Sequence, residues 1–563
     1  MSGSHPRLTV AGRIGPGAAL RHGSEAAYRG LSLTDGEPYG LREDLLVDPS
    51  WSPTPSRRRR AVLCFAHVTD LQLADVQSPA RFEFLNREYA DPRFAELVPV
   101  QRPHEALTAR AVEAMVRVVN EVEEAPLTST PLELVLTTGD AIDNAQWNEL
   151  AAFLALLDGG RVQVRSGGRV YEGVQAAHWP DTIFWRPDPA PGRTDVFREA
   201  FGFPEHPGLI EAALRSFDSA GLRVPWLACY GNHEALIQGV GVVTPRLADA
   251  LVGGSKPSRL PPGFDADDPL EVFLNEAETF LDGHPRAVTP DPERRAVSRQ
   301  EFVAAHFRPG SRPRGHGFTD RNRRDGTAYY AHDVGPVRFV TLDTTCLAGG
   351  SDGCLDTDQL GWLVDRLVEV HSSYRGADGS VVRTGNPDRL VVLASHHGLD
   401  TLTNTRDAHL GPGGGRLAGA AEIRTLLHRF GNVVLWVNGH THTNSVTARL
   451  DPVDRARGFW EVTTCAVVDW PCQSRLLEIV DEGDGTLSIV CTMVDHDGVL
   501  TPHDGWPSMA RRWSAVELAG LHRELAANAP FSGHESRQAG TAADRNVVLR
   551  MRAPFRAVHA RRD

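Results

Sequence analysis

The chain predicts an α/β fold. Apolar runs of strand length recur along it, and each closes in a polar loop. Several of those loops lead into stretches of helical periodicity, the alternation of a sheet with its chemistry at the carboxyl ends of the strands. At 563 residues the chain exceeds one ordinary core but suits a large α/β domain with insertions.

In order, residues 1–60 are rich in Gly, Pro, Ser and Arg without sustained periodicity and read as an irregular N-terminal extension. Residues 62–68 are a buried-strand run ending in Thr69-Asp70-Leu71-Gln72. Behind Pro103, Ala106, Leu107, Ala111, Met115 and Val119 recur at helical spacing, which predicts a helix over 103–124. A second strand over 132–136 closes in Gly139-Asp140-Ala141-Ile142-Asp143-Asn144 and is followed by a helix over 148–157. Residues 158–224 break the rhythm with paired glycines, prolines and the aromatics Trp179, Phe184, Trp185, Phe201 and Phe203, so they read as a lid or small insertion. The strand over 224–230 ends in Gly231-Asn232-His233-Glu234, and a second insertion spans about 240–326. Strands return over 327–332 and 337–342, a helix starts at 358, and the strand over 390–394 ends in Ser395-His396-His397-Gly398. A helix over 418–430 precedes the run 433–436, which opens into Val437-Asn438-Gly439-His440-Thr441-His442-Thr443. Antiparallel-looking strands over 459–464, 474–480 and 486–493 follow, within a main domain read as 61–500; residues 501–563 are a C-terminal helix, over 514–527, and tail.

Composition excludes several classes. Hydrophobic content of 41% and charged content of 23% fit a soluble globular protein, and a net charge of −13 argues against a nucleic-acid or membrane-surface binder. No window approaches a transmembrane span, and the first residues carry no apolar segment of a signal peptide. Arg57 to Arg60 lead into a short apolar stretch broken by Asp70, so they read as a solvated linker rather than a twin-arginine signal. Seven scattered cysteines without a C-x-x-C pair suggest small core residues in a reducing compartment, hence a cytoplasmic protein.

The strand ends carry the chemistry. Two histidines at i, i+2 within a strand point to opposite faces, but on a loop leaving the strand His440 and His442 can converge, with Gly439 supplying freedom to turn. Imidazole is the commonest side-chain metal ligand. Singly, an Asp after a strand is usually a helix cap and Gly-Asn a turn. Jointly and in order, Asp70-x-Gln72, Gly139-Asp140-x-x-Asp143, Gly231-Asn232-His233-Glu234, His396 and Gly439-His440-x-His442 are poorly explained by chance.

This set resembles the calcineurin-like metallophosphoesterase superfamily, over about residues 62–443. Asp469-Trp470-Pro471 and the segment 544–549 are similar to a subgroup of large bacterial members. The resemblance implies a four-layer α/β/β/α sandwich with two large insertions and a C-terminal extension. It implies one metal held by Asp70, Gln72, Asp140 and His442, and another by Asp140, Asn232, His396 and His440, with Asp140 bridging. The implied activity is hydrolysis of a small phosphate ester by in-line attack of a hydroxide bridging two divalent ions, with His233 assisting the leaving group. Asp143 and Glu234 would orient histidines through their free ring nitrogens. Mixed nitrogen and oxygen donors suit Mn²⁺ or Fe, then Zn²⁺ or Mg²⁺, and the missing thiolates disfavour a closed structural zinc.

The first motif normally supplies His where this chain has Gln72, whose amide oxygen is a weaker and harder donor. His396 is chosen over His397 because it aligns with the ligand position. A nucleotide- or phospholipid-directed phosphodiesterase, with insertion aromatics covering the substrate, is the alternative, as is a metal-binding scaffold without turnover. His316, Asn404 and Arg406 are further polar candidates to face a substrate.

Overall fold

In the computed structural model, residues 7–47, 52–53, 59–406, 416–455, 457–502, 506 and 512–555 are described. Arg57, Arg58 and the end of the tail lie outside them. Apart from short two-stranded pairs in the insertions and after the helix over 357–368, the strands in chain order are β1 (Gly12–His22), β2 (Ala27–Asp35), β3 (Gly40–Arg42), β4 (Arg60–Val68), β5 (Leu134–Thr137), β6 (Trp226–Leu227), β7 (Tyr330–Val334) and β8 (Val337–Thr341). They continue as β9 (Leu390–Ala394), β10 (Val433–Asn438), β11 (Ser445–Leu450), β12 (Gly458–Thr463), β13 (Gln473–Asp481), β14 (Thr486–Asp495) and β15 (Val547–Arg552).

One seven-stranded sheet has the order β3-β15-β14-β13-β4-β5-β6, and a six-stranded sheet has the order β7-β8-β9-β10-β12-β11. β4, β5 and β6 run parallel, as do β8, β9 and β10. Parallel strands covered on both faces read as continuous apolar runs, which is why these were visible in the sequence. Along β4, Leu63 and Phe65 join Phe339, Val392 and Val434 of the other sheet in one core, with the Phe65 and Phe339 rings edge to face at 5.3 Å. The alternate residues Cys64, Ala66 and Val68 turn to α1 (Thr108–Glu121) and α2 (Trp147–Asp158). Likewise Val391 and Leu393 of β9 pack under α3 (Thr357–Val368) and α4 (Ala420–Leu427). The fold is therefore mixed α/β.

Three expectations need correction. Residues 12–42 are not irregular: β1 pairs with β2, and β3 joins the large sheet beside β15. The hairpin has one largely exposed face and buries few large side chains, Ile14 and Leu31 against Trp470 and Ala526 and Tyr28 against Phe203, so no long apolar run announces it. The segment 501–563, read as a C-terminal helix and tail outside the main domain, also carries β15, which lies inside the large sheet. The strand expected over 224–230 shrinks to Trp226–Leu227, because the Trp226 and Ala228 amides donate to the carbonyls of Arg312 and His316 instead of a strand.

The insertion aromatics are core. Trp185 and Phe203 are fully buried with Leu518, Leu521 and Leu525 of α5 (Ala515–Ala527), and Trp179 packs with Phe184. Among the described residues no helix is long and apolar enough to cross a membrane.

Candidate active site

The loops leaving β4, β5, β6, β9 and β10 meet at one edge of the facing sheets. Donor atoms of Asp70, Asp140 and His396 lie within 4.8 Å of one another. Ten described non-glycine residues have positive φ, and five of them are Asp70 (51°), Gln72 (39°), Asp140 (50°), His440 (68°) and His442 (55°). Each costs on the order of 1–3 kcal/mol and persists only where its surroundings over-determine it. Such a concentration of strained backbone marks a functional constraint rather than a packing one.

Buried groups fix these backbones. The Glu234 carboxylate accepts from four amides, those of Asp140 (2.8 Å), Ala141 (2.6 Å), Ile142 (3.3 Å) and Gly231 (2.7 Å). It ties two loops together and orients no histidine, contrary to expectation. Burial, with the Asp140 charge adding to it, pushes the Glu234 carboxyl up to about 8. Asp70 accepts from the His440 amide at 3.1 Å and from Thr69 Oγ1 at 2.8 Å. Gly439 keeps a negative φ, so its freedom to turn is unused; a Cβ there would collide with Thr69 Oγ1 and Asp70 Oδ2. The glycine is required for close approach.

Hydrogen bonds also set the histidine tautomers. His396 Nδ1 lies 2.8 Å from the Thr138 carbonyl, which can only accept, so Nδ1 carries the proton and Nε2 faces Asp140 Oδ2 at 3.1 Å. His442 Nδ1 meets Asp469 Oδ2 at 2.7 Å, leaving Nε2 3.4 Å from Asp70 Oδ1. His397 belongs to a cluster with His396 and His440, but both its nitrogens are engaged, Nδ1 with Thr344 Oγ1 and Nε2 with the Ser351 carbonyl. His233 Nδ1 donates to the Asp143 carbonyl at 2.7 Å, so Asp143 orients this ring through its backbone. The Asp143 carboxylate instead takes Arg81 Nε at 2.8 Å.

Three buried donor atoms at the site have no hydrogen-bond partner: Gln72 Oε1, Asn232 Oδ1 and His396 Nε2. Orphaned buried polar atoms are costly, and this is the pattern that ligation would satisfy. The donor set of carboxylates, amide oxygens and imidazoles fits hard or borderline divalent ions.

A cavity of about 370 Å³ opens over these groups; Gln72, Asp140, Asn232, His233, His440 and His442 line it, as do Phe531, Ser532 and Gln538 of the C-terminal segment. Arg102 and Asp469 also line it, and neither was picked from the sequence as a site residue. Asp469 Oδ1 takes Arg102 Nε at 2.9 Å. Burial opposes ionisation of Asp469, but the Arg102 charge, the His104 ring 3.7 Å away and the hydrogen bond from His442 hold its carboxyl well below the usual range. The available signal was Asp469 closing the apolar run Ala466-Val467-Val468, as Asp70 closes its own. Because Asp469 holds the His442 ring, Asp469→Asn is expected to weaken divalent-ion binding by about 10–100-fold while the fold persists, read by titration calorimetry.

The further polar candidates do not face the cavity. His316 is buried and stacked on Trp226 at 3.7 Å, with Nε2 on Asp158. Asn404 and Arg406 brace the loop 348–352 through the carbonyls of Gly349, Asp352 and Ala348.

No protein-family model matches the chain, and no curated protein matches it in sequence. Among solved structures it is similar to a dimetal phosphatase from Danio rerio at 12% identity, over 78% of this chain and 100% of that one, with a TM-score of 0.32. It is also similar to a purple acid phosphatase from yellow lupin (Lupinus luteus) seeds at 11% identity, over 82% of this chain and 53% of that one, with a TM-score of 0.31.

Proposed function

We propose that the chain is a metal-dependent hydrolase of phosphate esters. The observation that carries this reading is the set of strained strand-end residues with orphaned donor atoms, of which Gln72, Asp140, Asn232, His440 and His442 line one cavity with His233. In this reading Asp70, Gln72, Asp140 and His442 hold one divalent ion, and Asp140, Asn232, His396 and His440 hold the other, with the Gln72 oxygen favouring Mn²⁺ or Mg²⁺. Such ions, when bound, supply Lewis-acid stabilisation of charge on phosphoryl oxygens.

The chain's own groups do the rest. The carbonyl of Asp143 fixes His233 with Nδ1 protonated, which leaves Nε2 on the cavity side, 3.9 Å from Asp140 Oδ2. As an imidazolium, His233 carries at Nε2 the proton that the departing alkoxide needs. Asp143 is held by Arg81, so the ring stands on a buried, rigid support. Within the same reading, the two sheets and their outer helices form a four-layer α/β/β/α sandwich, with residues 61–500 as its domain and 158–224 and 240–326 as insertions. The seven free, buried cysteines fit a reducing compartment, and we place the chain in the cytoplasm.

The test is hydrolysis of 4-nitrophenyl phosphate and bis(4-nitrophenyl) phosphate by metal-stripped protein reloaded with Mn²⁺. Turnover is expected only after reloading. His233→Ala is expected to lower it by roughly 10²–10⁴-fold on an alkyl ester, which needs leaving-group protonation, and by less on the nitrophenyl esters. Failure to take up divalent ions, or turnover indifferent to their removal, would overturn the reading.

A further inference from the structure

Phe531 and Tyr89 are large side chains left 40% and 47% exposed, yet their rings are packed on each other with centroids 3.6 Å apart and planes tilted by 33°. Tyr89 follows the 3₁₀ turn Glu83–Glu88, and Phe531 lies beyond α5, so two remote stretches of chain meet to present this pair. Phe531 lines the cavity over the strand-end residues. An exposed aromatic pair costs hydrophobic free energy in water unless something covers it.

Arg102 lines the same cavity and is the one arginine among its described lining residues, which include no lysine. Its Nε is held by Asp469 Oδ1 at 2.9 Å, while Nη1 and Nη2 have no hydrogen-bond partner among the described residues. The same carboxylate oxygen accepts from Ser532 Oγ at 3.2 Å, one residue along from Phe531. Asp469 therefore fixes a guanidinium edge and an aromatic face relative to each other. A guanidinium edge is shaped for two phosphoryl oxygens, and an exposed ring for a flat apolar group.

We infer that Arg102 and Phe531, backed by Tyr89, form a subsite for phosphate esters that carry a planar aromatic group, whether aryl or nucleoside. The inference rests on the phosphate-ester reading above and deepens it. The free edge of Arg102 meets a phosphoryl oxygen, and the substrate ring lies on Phe531. Aromatic selection thus comes from this rim and not from the insertion aromatics, which are buried in core.

The test uses the full chain loaded with Mn²⁺ and two ligands that cannot be hydrolysed, phenylphosphonate and methylphosphonate, with affinities read by titration calorimetry. Phenylphosphonate is expected to bind about five- to tenfold more tightly. Phe531→Ala and Phe531→Leu should both bring that ratio close to one, with methylphosphonate binding unchanged. Arg102→Gln should weaken both ligands by a similar factor. A preference that survives in Phe531→Ala, a Leu variant that keeps all of it, or an Arg102→Gln protein that binds both ligands as before would overturn the subsite. Full selectivity between the phosphonates without turnover of any ester would uphold the subsite and overturn the hydrolase reading alone.

Discussion

Asp140→Ala is expected to lower metal-dependent ester hydrolysis by roughly 10³-fold or more, beyond the ~10–100-fold cost of losing an outer partner. The carboxylate sits at the crossing of the whole arrangement. Its Oδ2 lies 3.1 Å from His396 Nε2 and its Oδ1 accepts from the His233 amide at 3.0 Å. Removing it subtracts a ligand from both proposed ion positions, so uptake of divalent ions should fall as well as turnover. A separate signature appears in the metal-free protein. Burial alone would lower the His396 pKa, but Asp140 and then Asp70 outweigh burial and raise it from 6.5 to about 9. A histidine raised by folding adds stability that is whole below its unfolded value and is lost as pH climbs through the folded one. Chelator-treated protein should therefore lose thermal stability between about pH 6.5 and 9. His442, raised to about 10 by Asp70 and Asp469 against burial, extends the loss upward. In Asp140→Ala the His396 part should shrink to what Asp70 supports while the His442 part remains, so melting temperature would vary less with pH. An unchanged pH slope would show that Asp140 does not support His396.

The strand-end residues were legible because of how parallel strands are buried. A strand covered on both faces is predominantly apolar, so Asp70, Asp140, Asn232, His396 and His440 stand out as ligand-type residues within a few positions of such runs. What lay beyond reach was partner choice. Glu234 reads as a helper to histidines, yet four backbone amides claim its carboxylate, and nothing in a sequence distinguishes an amide from an imidazole as its partner. Asp469 binds His442 from 27 positions away, and Arg102 arrives from a segment of short turns without periodicity. The β1–β2 hairpin was missed for a different reason. Its strands mostly pair with each other in open water, so they lack the apolar run that betrays β4 or β9.

Arg81→Met should show how far this buried support matters, with an expected destabilisation of about 3–5 kcal/mol, the usual cost of stranding buried charges. Arg81 is fully buried and binds Asp143 through Nε at 2.8 Å. It also binds Glu105 in a fork, at 2.7 and 2.9 Å. The chain's one lysine, Lys256, is buried beside it and pairs with Glu83 at 2.7 Å. Three carboxylates thus share two cations in a region closed to water, and Met would leave Asp143 and Glu105 without their shared partner. Denaturant unfolding reads the loss. Adding Glu105→Gln removes one stranded charge and should recover part of it, so the two changes should fall well short of additive. Activity supplies a second readout, because Arg81 positions Asp143 and Asp143 holds His233. Turnover of an alkyl ester should drop more than that of a nitrophenyl ester, the same asymmetry expected of His233→Ala. Strict additivity with equal losses on both esters would reduce Arg81 to a structural ion pair with no bearing on the histidine.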